Sequence, residues 1–255
     1  MEIIDHICPH LNDHTGWSVA SFLRSFNPQA CMESRQVICL SHRPSFDAMK
    51  YRTSSSYNLT FTAASLRPEL ARVVAETYLA TDDWQATKEK ILSSNALQCR
   101  SSNSTIRLER ELRQRLATLT RDQLVHIAQA TAEARTALSW LAVCKHSPFA
   151  FEFASEVLRD KLFAHDPVLR PSDYESYIDN KSILHPGLVG LTPSSKAKIR
   201  QVLFRMLFEA GLVTCAKEAK IQRPVVSPEV LRLITDDKPK WLAGFLVPDT
   251  EIFSH

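Results

Sequence analysis

Residues 192–211 read TPSSKAKIRQVLFRMLFEAG and form the best-delimited helical segment of the chain. Thr192 before Pro193 is typical of an N-cap followed by the first helical position, where an N–H group would have no helical partner. Gly211 stands where a left-handed C-terminal cap is expected. Between these ends, the spacing of the apolar residues predicts one buried stripe, which comprises Ile199, Val202, Leu203, Met206, Leu207 and Ala210. The sequence therefore predicts one amphipathic helix between Thr192 and Gly211.

The segments on either side of this helix predict a winged-helix-like arrangement. Before it, residues 172–181 are predicted as a short helix, and residues 183–191, with one proline and two glycines, as a loop. After it, residues 212–215 and 221–226 are rich in β-branched or apolar residues and predict a short β-hairpin. This order is that of a winged helix-turn-helix, in which one helix enters the DNA major groove and the wing contacts the backbone. The loop at 183–191 is longer than the usual turn of that motif.

The charge of this region predicts nucleic-acid contact. Residues 192–223 hold seven basic residues against two acidic ones, whereas the whole chain carries a net charge of only +3. At 100° per residue, the flank away from the apolar stripe carries Ser194, Lys198, Gln201 and Arg205. Lysine and arginine contact phosphates, and Gln201 or Arg205 can reach base edges, although an ordinary solvated face is the alternative. The predicted contacts are Lys196, Lys198, Gln201, Arg205, Lys217, Lys220 and Arg223.

A second basic zone spans residues 100–121 and holds six arginines against two glutamates. One face of the helix predicted there carries Leu108, Leu112, Leu116 and Leu119. Arg107 and Arg110 lie roughly opposite these leucines and are predicted to contact nucleic acid, with a solvated surface as the alternative. Glu111 precedes Arg115 by four residues, a spacing that predicts a structural ion pair.

The remainder of the chain predicts further helices and a division into parts. Predicted helix caps are Thr60 or Thr62, Asp82 or Asp83, Asn103 or Ser104, and Thr120 with Gln123, the last opening a long helix toward Lys145. Two prolines within residues 165–171 break the helical pattern and predict a linker. We expect three parts: a poorly ordered or spurious extension at 1–56, a helical bundle domain at 57–165 and a winged-helix-like domain at 166–255.

Composition and motif searches exclude several classes of protein. Glycine occurs only 5 times, and no Asn-Gly or Asp-Gly pair is present, which argues against sandwich and barrel folds. The chain has no Gly-rich phosphate loop, no Gly-x-Ser-x-Gly and no His-Glu-x-x-His, so no catalytic residue, metal ligand or cofactor is predicted. No apolar run approaches the ~18 residues that span a bilayer, and the first residues do not resemble a signal peptide. A cytoplasmic protein without a membrane contact is expected.

Three segments carry a resemblance to a known family: YNLTFTAASL at 57–66, the helix at 192–211, and WLAGFLVPD at 241–249. They resemble the BrxA family of bacterial BREX phage-defence systems. The resemblance covers residues 57–252 and implies a non-enzymatic, helical, DNA-associated subunit whose first domain is similar to the antitermination factor NusB. It also implies partners from the same defence system: a large ATPase, an adenine DNA methyltransferase, a phosphatase-like protein and a protease-like ATPase.

The leading hypothesis is a mostly α protein with two domains, a NusB-like helical bundle followed by a winged-helix-like domain with a short β-hairpin. It would bind double-stranded DNA chiefly through phosphates as an accessory of phage defence. One alternative is an adaptor whose arginine faces dock acidic surfaces of other defence subunits. Another is RNA binding through the bundle, where Arg107 and Arg110 would matter most.

Overall fold

The computed structural model describes residues 57–214 and 219–252, and it is mostly helical. The prediction of a mostly α fold is confirmed, whereas the expected extension at 1–56 lies outside the described residues. The α-helices are α1 (Pro68–Thr81), α2 (Trp84–Ser94), α3 (Ser102–Leu116), α4 (Arg121–Gln129), α5 (Ala132–His146), α6 (Pro148–Glu152), α7 (Arg159–Phe163), α8 (Pro171–Ser182), α9 (Pro186–Val189), α10 (Pro193–Glu209), α11 (Pro228–Asp237) and α12 (Asp249–Ile252). Two 3-10 helices span Thr60–Ala63 and Pro239–Phe245, and a π-helical segment, Phe153–Leu158, joins α6 to α7.

Local capping signals account for most helix starts in the first half. Asp83 begins α2 by accepting the Ala86 N–H at 2.6 Å. Thr120 and Gln123 form the predicted capping box at the start of α4. These interactions satisfy N–H groups that have no partner within the helix, which is why the sequence indicates them without tertiary information.

Three predicted helix boundaries in this half are wrong. The helix expected to open at Thr60 or Thr62 is a 3-10 turn that ends at Ala64, which is extended, and α1 starts only at Pro68, after the left-handed Arg67. Ser101, rather than Asn103 or Ser104, caps α3. The long helix expected after Thr120 is divided, because Thr131 accepts the Ala134 N–H and starts α5.

The second half differs from prediction at its loops. The expected loop at 183–191 contains the short helix α9, which opens with Pro186 at its first position. The last predicted helix, at 238–246, is the 3-10 helix Pro239–Phe245, and α12 follows it. In place of the strands of a hairpin, the described residues form two isolated antiparallel bridges, Val168 with Lys220 and Val213 with Ile221.

The bridges join three short extended segments side by side. Residues 219–221 lie in the middle, with residues 167–169 on one side and residues 212–214 on the other. The Leu169 N–H donates to the Ala219 carbonyl at 2.8 Å, and the Thr214 N–H donates to the Lys220 carbonyl at 2.9 Å. These bonds connect the segment before α8 to the segment after α10.

The described residues belong to one compact unit with one continuous buried core. Phe149 of α6 illustrates this continuity. Its ring contacts Tyr57 and Phe61 from the start of the described chain, and Tyr174 and Tyr177 of α8, with centroid distances of 5.2–6.5 Å. The boundary expected near residue 165 therefore does not divide the core, and the assignment of two domains stays a prediction.

Candidate nucleic-acid interface

Helix α10 has the ends that its sequence predicts. The Thr192 hydroxyl accepts the Ser195 N–H at 3.2 Å, and Pro193 occupies the first helical position. Beyond the last turn, Gly211 has a φ of 73°, the left-handed conformation that glycine adopts without steric cost. The side that faces the core buries Ile199, Val202, Leu203, Met206 and Leu207.

The opposite side of α10 is exposed along the whole helix. It carries Ser194, Lys198, Gln201 and Arg205, as the sequence predicts, and it continues to Phe208. The Lys198 ammonium donates to the Gln201 amide oxygen at 3.2 Å. Phe208 is 46% exposed, and its spacing of three residues from Arg205 already indicated that it lies on this side. These five residues are called the α10 face below.

One carboxylate connects the α10 face to the N-terminal part of the chain. The Arg205 Nε–H donates a hydrogen bond to Glu209 Oε1 at 2.9 Å. The other Glu209 oxygen, Oε2, accepts the backbone N–H of Leu66 at 2.8 Å. Arg205 thus has part of its charge neutralised while 59% of its side chain remains exposed.

Lys196 and Arg200 lie away from the α10 face. Lys196 is only partly exposed, and its carbonyl accepts the Tyr174 hydroxyl of α8 at 3.0 Å. Arg200 forms an ion pair with Glu175 of α8 at 2.9 Å. The structure therefore places two of the basic residues of α10 against α8, and it leaves Lys198 and Arg205 as the cations of the exposed side.

The residues expected in the wing have different environments. Lys217 lies outside the described residues. Lys220 is exposed, and no carboxylate of the described chain pairs with it. Arg223, predicted as a cation free to contact DNA, forms a two-pronged ion pair with Glu251 at 2.5 and 3.1 Å. These hydrogen bonds raise the pKa of Arg223 and hold its charge against α12.

Helix α3 buries both of its glutamates. Glu109 is 1% exposed and accepts a hydrogen bond from the Arg113 Nε–H at 2.6 Å. Glu111 is also buried and accepts a hydrogen bond from the Arg115 Nε–H at 2.9 Å. The predicted ion pair of Glu111 and Arg115 is therefore confirmed. The Arg115 guanidinium also donates to three backbone carbonyls, those of Phe61, Ala64 and Ser65, at 3.3, 2.9 and 2.8 Å. Burial lowers the pKa of Arg115, and the nearby Glu111 charge opposes this effect.

The exposed side of α3 is basic because its acids are inside. Arg107 and Arg110 are both exposed, and so is Arg100, which lies just before the helix. Within the described residues, none of these three arginines has a carboxylate partner. The net charge counted along the sequence understates the positive charge of this surface. The buried Glu109 and Glu111 pair with Arg113 and Arg115, and not with the exposed arginines.

Two exposed residues were missed by sequence reasoning. Phe208 extends the α10 face, and its helical spacing was available as a signal. Arg67 is exposed and adjoins Leu66, which Glu209 holds against the end of α10. No local pattern indicates this position, because the two segments are 143 residues apart in the chain.

The comparison with protein families covers most of the described residues. A family model described as BrxA matches residues 55–238. The chain belongs to the BrxA family. The predicted resemblance to this family is thereby confirmed, and the segments at 57–66 and 192–211 lie within the matched residues.

Individual BrxA relatives agree with this membership. The chain is 31% identical over 159 residues to the BREX protein BrxA of Escherichia coli O9:H4 (strain HS), a match covering 62% of this chain and 75% of that protein. It is 26% identical over 148 residues to the BREX protein BrxA of Bacillus cereus (strain H3081.97), covering 58% and 74% of the two chains.

A solved structure shares the fold of this BrxA family member. The crystal structure of an uncharacterized protein from Magnetospirillum magneticum superposes with a TM-score of 0.65 at 21% identity. The match covers 75% of this chain and 98% of that one. Among the residues that the structure describes, no helix combines the length and the apolar character needed to cross a bilayer.

Proposed function

We propose that this protein binds double-stranded DNA through the α10 face as a non-enzymatic accessory of a BREX-type defence system. The observation that carries the proposal is a capped helix whose exposed side bears Lys198, Gln201 and Arg205 while its other side is buried. Lysine and arginine supply the phosphate contacts that dominate affinity for DNA.

The elements around α10 support a winged-helix arrangement. Helices α8 and α9 precede α10, and bridged segments come before α8, at 167–169, and after α10, at 212–214 and 219–221, which is a chain order compatible with that motif. In such motifs one helix enters the major groove and the wing contacts the DNA backbone. We propose that α10 is this recognition helix, and that Lys217 and Lys220 contribute phosphate contacts from the wing.

The α10 face suits a mainly electrostatic contact with weak sequence preference. Lys198 and Arg205 are seven residues apart, so their backbones are separated by about 10 Å along the helix. Two cations at this separation can contact different phosphates of one strand. Gln201 lies between them, and glutamine is the side chain that pairs with the N6 and N7 edge of adenine in the major groove. One such residue gives limited discrimination between sequences.

The name of the relatives supports a place in phage defence. Two of them, from different bacterial groups, are named BREX protein BrxA. We propose that this chain acts with other BREX subunits, such as the ATPase, the methyltransferase and the phosphatase-like protein. DNA bound by this protein would then be the substrate that the complex shares.

The Lys198→Ala, Arg205→Ala double variant is expected to weaken DNA binding without lowering thermal stability. Loss of two phosphate contacts lowers the slope of log affinity against log salt by about 1.8, which corresponds to a loss on the order of 60-fold at ~0.1 M salt. Stability is retained because both side chains lie off the buried stripe. Fluorescence anisotropy with a labelled duplex across a salt series measures both quantities.

Arg200→Ala is the control for this experiment, because it removes a cation of the same helix that lies toward α8, where it pairs with Glu175, and not on the α10 face. It should leave the affinity and the salt slope near those of the wild type. An unchanged slope in the double variant would remove α10 from the interface. A lower melting temperature in that variant would show instead that the α10 face is needed for packing.

The basic side of α3 favours a second contact zone, for the same DNA or for RNA. The Arg107→Ala, Arg110→Ala variant is expected to lower affinity for a duplex of ~30 base pairs by on the order of tenfold or more. It should affect binding to a duplex of ~10 base pairs, about one helical turn, less than binding to the longer duplex, because the short duplex offers fewer phosphates to a second zone. Competition assays with both duplexes measure the difference.

Lys90→Gln, which removes one exposed cation of the neighbouring helix α2, is the control for each arginine removed from α3. Equal binding of the arginine variant and the wild type on the long duplex would contradict a second DNA zone. Loss of binding to single-stranded RNA alone would assign α3 to RNA. If the wild type binds no nucleic acid at ~50 mM salt, the adaptor hypothesis replaces both.

A further inference from the structure

The segment from Phe61 to Leu66 is held in place from two sides. On one side, the buried Arg115 of α3 donates to three carbonyls between residues 61 and 65 at 2.8–3.3 Å. On the other side, Glu209 at the end of α10 accepts the Leu66 N–H at 2.8 Å. Because these bonds come from two different helices, the backbone that leads into Arg67 has a defined position beside the end of α10.

Arg67 is the first residue after this held segment. It has a φ of 52°, it immediately precedes α1, and it is exposed. Its Cα is one peptide unit, about 3.8 Å, from that of Leu66. Since the same Glu209 carboxylate bonds to Leu66 and to Arg205, the backbone of Arg67 lies near the end of α10 that carries Arg205.

The charge of Arg67 is not neutralised within the described chain. Most arginines of the described residues have a carboxylate within ion-pair distance, but Arg67 has none. The acid closest to it in the sequence, Glu69, is engaged by Arg72 at 3.4 Å and by Arg135. An exposed guanidinium without a protein partner presents five N–H donors suited to phosphate oxygens.

We propose that Arg67 is a further phosphate-binding residue, which extends the DNA contact of the α10 face beyond the end of the helix. This inference rests on the proposed function, because it assigns Arg67 to the same bound duplex. Lys198, Arg205 and Arg67 would then contact successive parts of one DNA backbone. Glu209 acts as a positioning residue, since it holds Arg205 with one oxygen and the segment before Arg67 with the other.

The Arg67→Asn variant tests the contact directly. Asparagine tolerates the left-handed conformation, so the substitution removes the charge without straining the backbone. For one lost phosphate contact, the salt slope of duplex binding should fall by about 0.9, and the affinity should fall on the order of eightfold at ~0.1 M salt. Lys90→Gln removes one exposed, unpaired charge from α2 and should leave both quantities near wild type.

The Glu209→Ala variant tests the positioning role. It releases Leu66 and Arg205 together, so Arg67→Asn should cost less affinity in this background than in the wild type. Equal costs in the two backgrounds would show that Glu209 does not position Arg67. Circular dichroism of each variant identifies any that fails to fold, and Arg67→Asn alone still tests the contact in that case.

The outcomes separate this inference from the proposed function. If Lys198→Ala, Arg205→Ala weakens binding while Arg67→Asn binds as the wild type does, the inference is wrong and the proposed function stands. Equal losses in Arg67→Asn and Lys90→Gln would show an effect of net charge alone and would also overturn it. If the wild type binds no duplex, both are overturned.

Discussion

The Arg115→Ala variant is expected to lose about 3–5 kcal/mol of unfolding free energy, because it leaves a buried charge without its partner. Glu111 is 2% exposed and would keep its carboxylate in the interior. The three carbonyls of the 61–65 segment would lose their donor at the same time. For a chain of this size the melting temperature should fall by about 6–20 °C. Urea unfolding followed by circular dichroism measures the free energy.

Two further variants define the origin of this loss. Arg232→Ala removes an exposed arginine 3.7 Å from Asp236 and should leave the urea midpoint unchanged. Arg115→Lys keeps the charge but replaces the planar fork with a single ammonium, which cannot reach Glu111 and the carbonyls together, so its stability should be intermediate. A loss below about 1 kcal/mol in Arg115→Ala would show that water satisfies these groups in its place.

The elements predicted correctly are those whose signals are local. The caps and apolar stripe of α10 lie within 20 consecutive residues, and helical geometry alone places Lys198 and Arg205 on the side away from the core. The capping box of α4 is equally local, since its two partners are three residues apart. The start of α5 was available in the same way at Thr131, but the continuous apolar pattern concealed it.

The features that sequence reasoning missed depend on residues far apart in the chain. Arg223 was expected to be free, yet Glu251, 28 positions later, neutralises it. Arg67 gains its place beside α10 only through the Leu66–Glu209 bond. The charge of the α3 surface depends on which glutamates are buried, and tertiary packing decides that. For these reasons the helix that carries the candidate site was predictable, whereas the extent of its basic surface was not.

The Phe149→Ala variant is expected to lose about 3–5 kcal/mol of stability and to unfold in a single transition. Phe149 is fully buried and packs edge to face against Tyr57 and Tyr177, at centroid distances of 5.4 and 5.2 Å. The Tyr177 hydroxyl also donates to the Phe149 carbonyl at 3.0 Å. Removal of the ring leaves a cavity between the two predicted domains. Thermal unfolding followed at two wavelengths, for backbone and for aromatic side chains, measures the result.

A single transition follows from the way α10 is supported. Tyr174 packs against Phe149 and donates to the carbonyl of Lys196 at 3.0 Å, so the first turn of α10 is connected to α6 through α8. Loosening Phe149 should therefore destabilise the scaffold of the α10 face together with the bundle. Phe163→Ala, at a site 47% exposed, is the matched control and should change stability little. Two separate transitions in Phe149→Ala would contradict this expectation and would show that residues 57–165 and 166–255 unfold separately once the ring is lost.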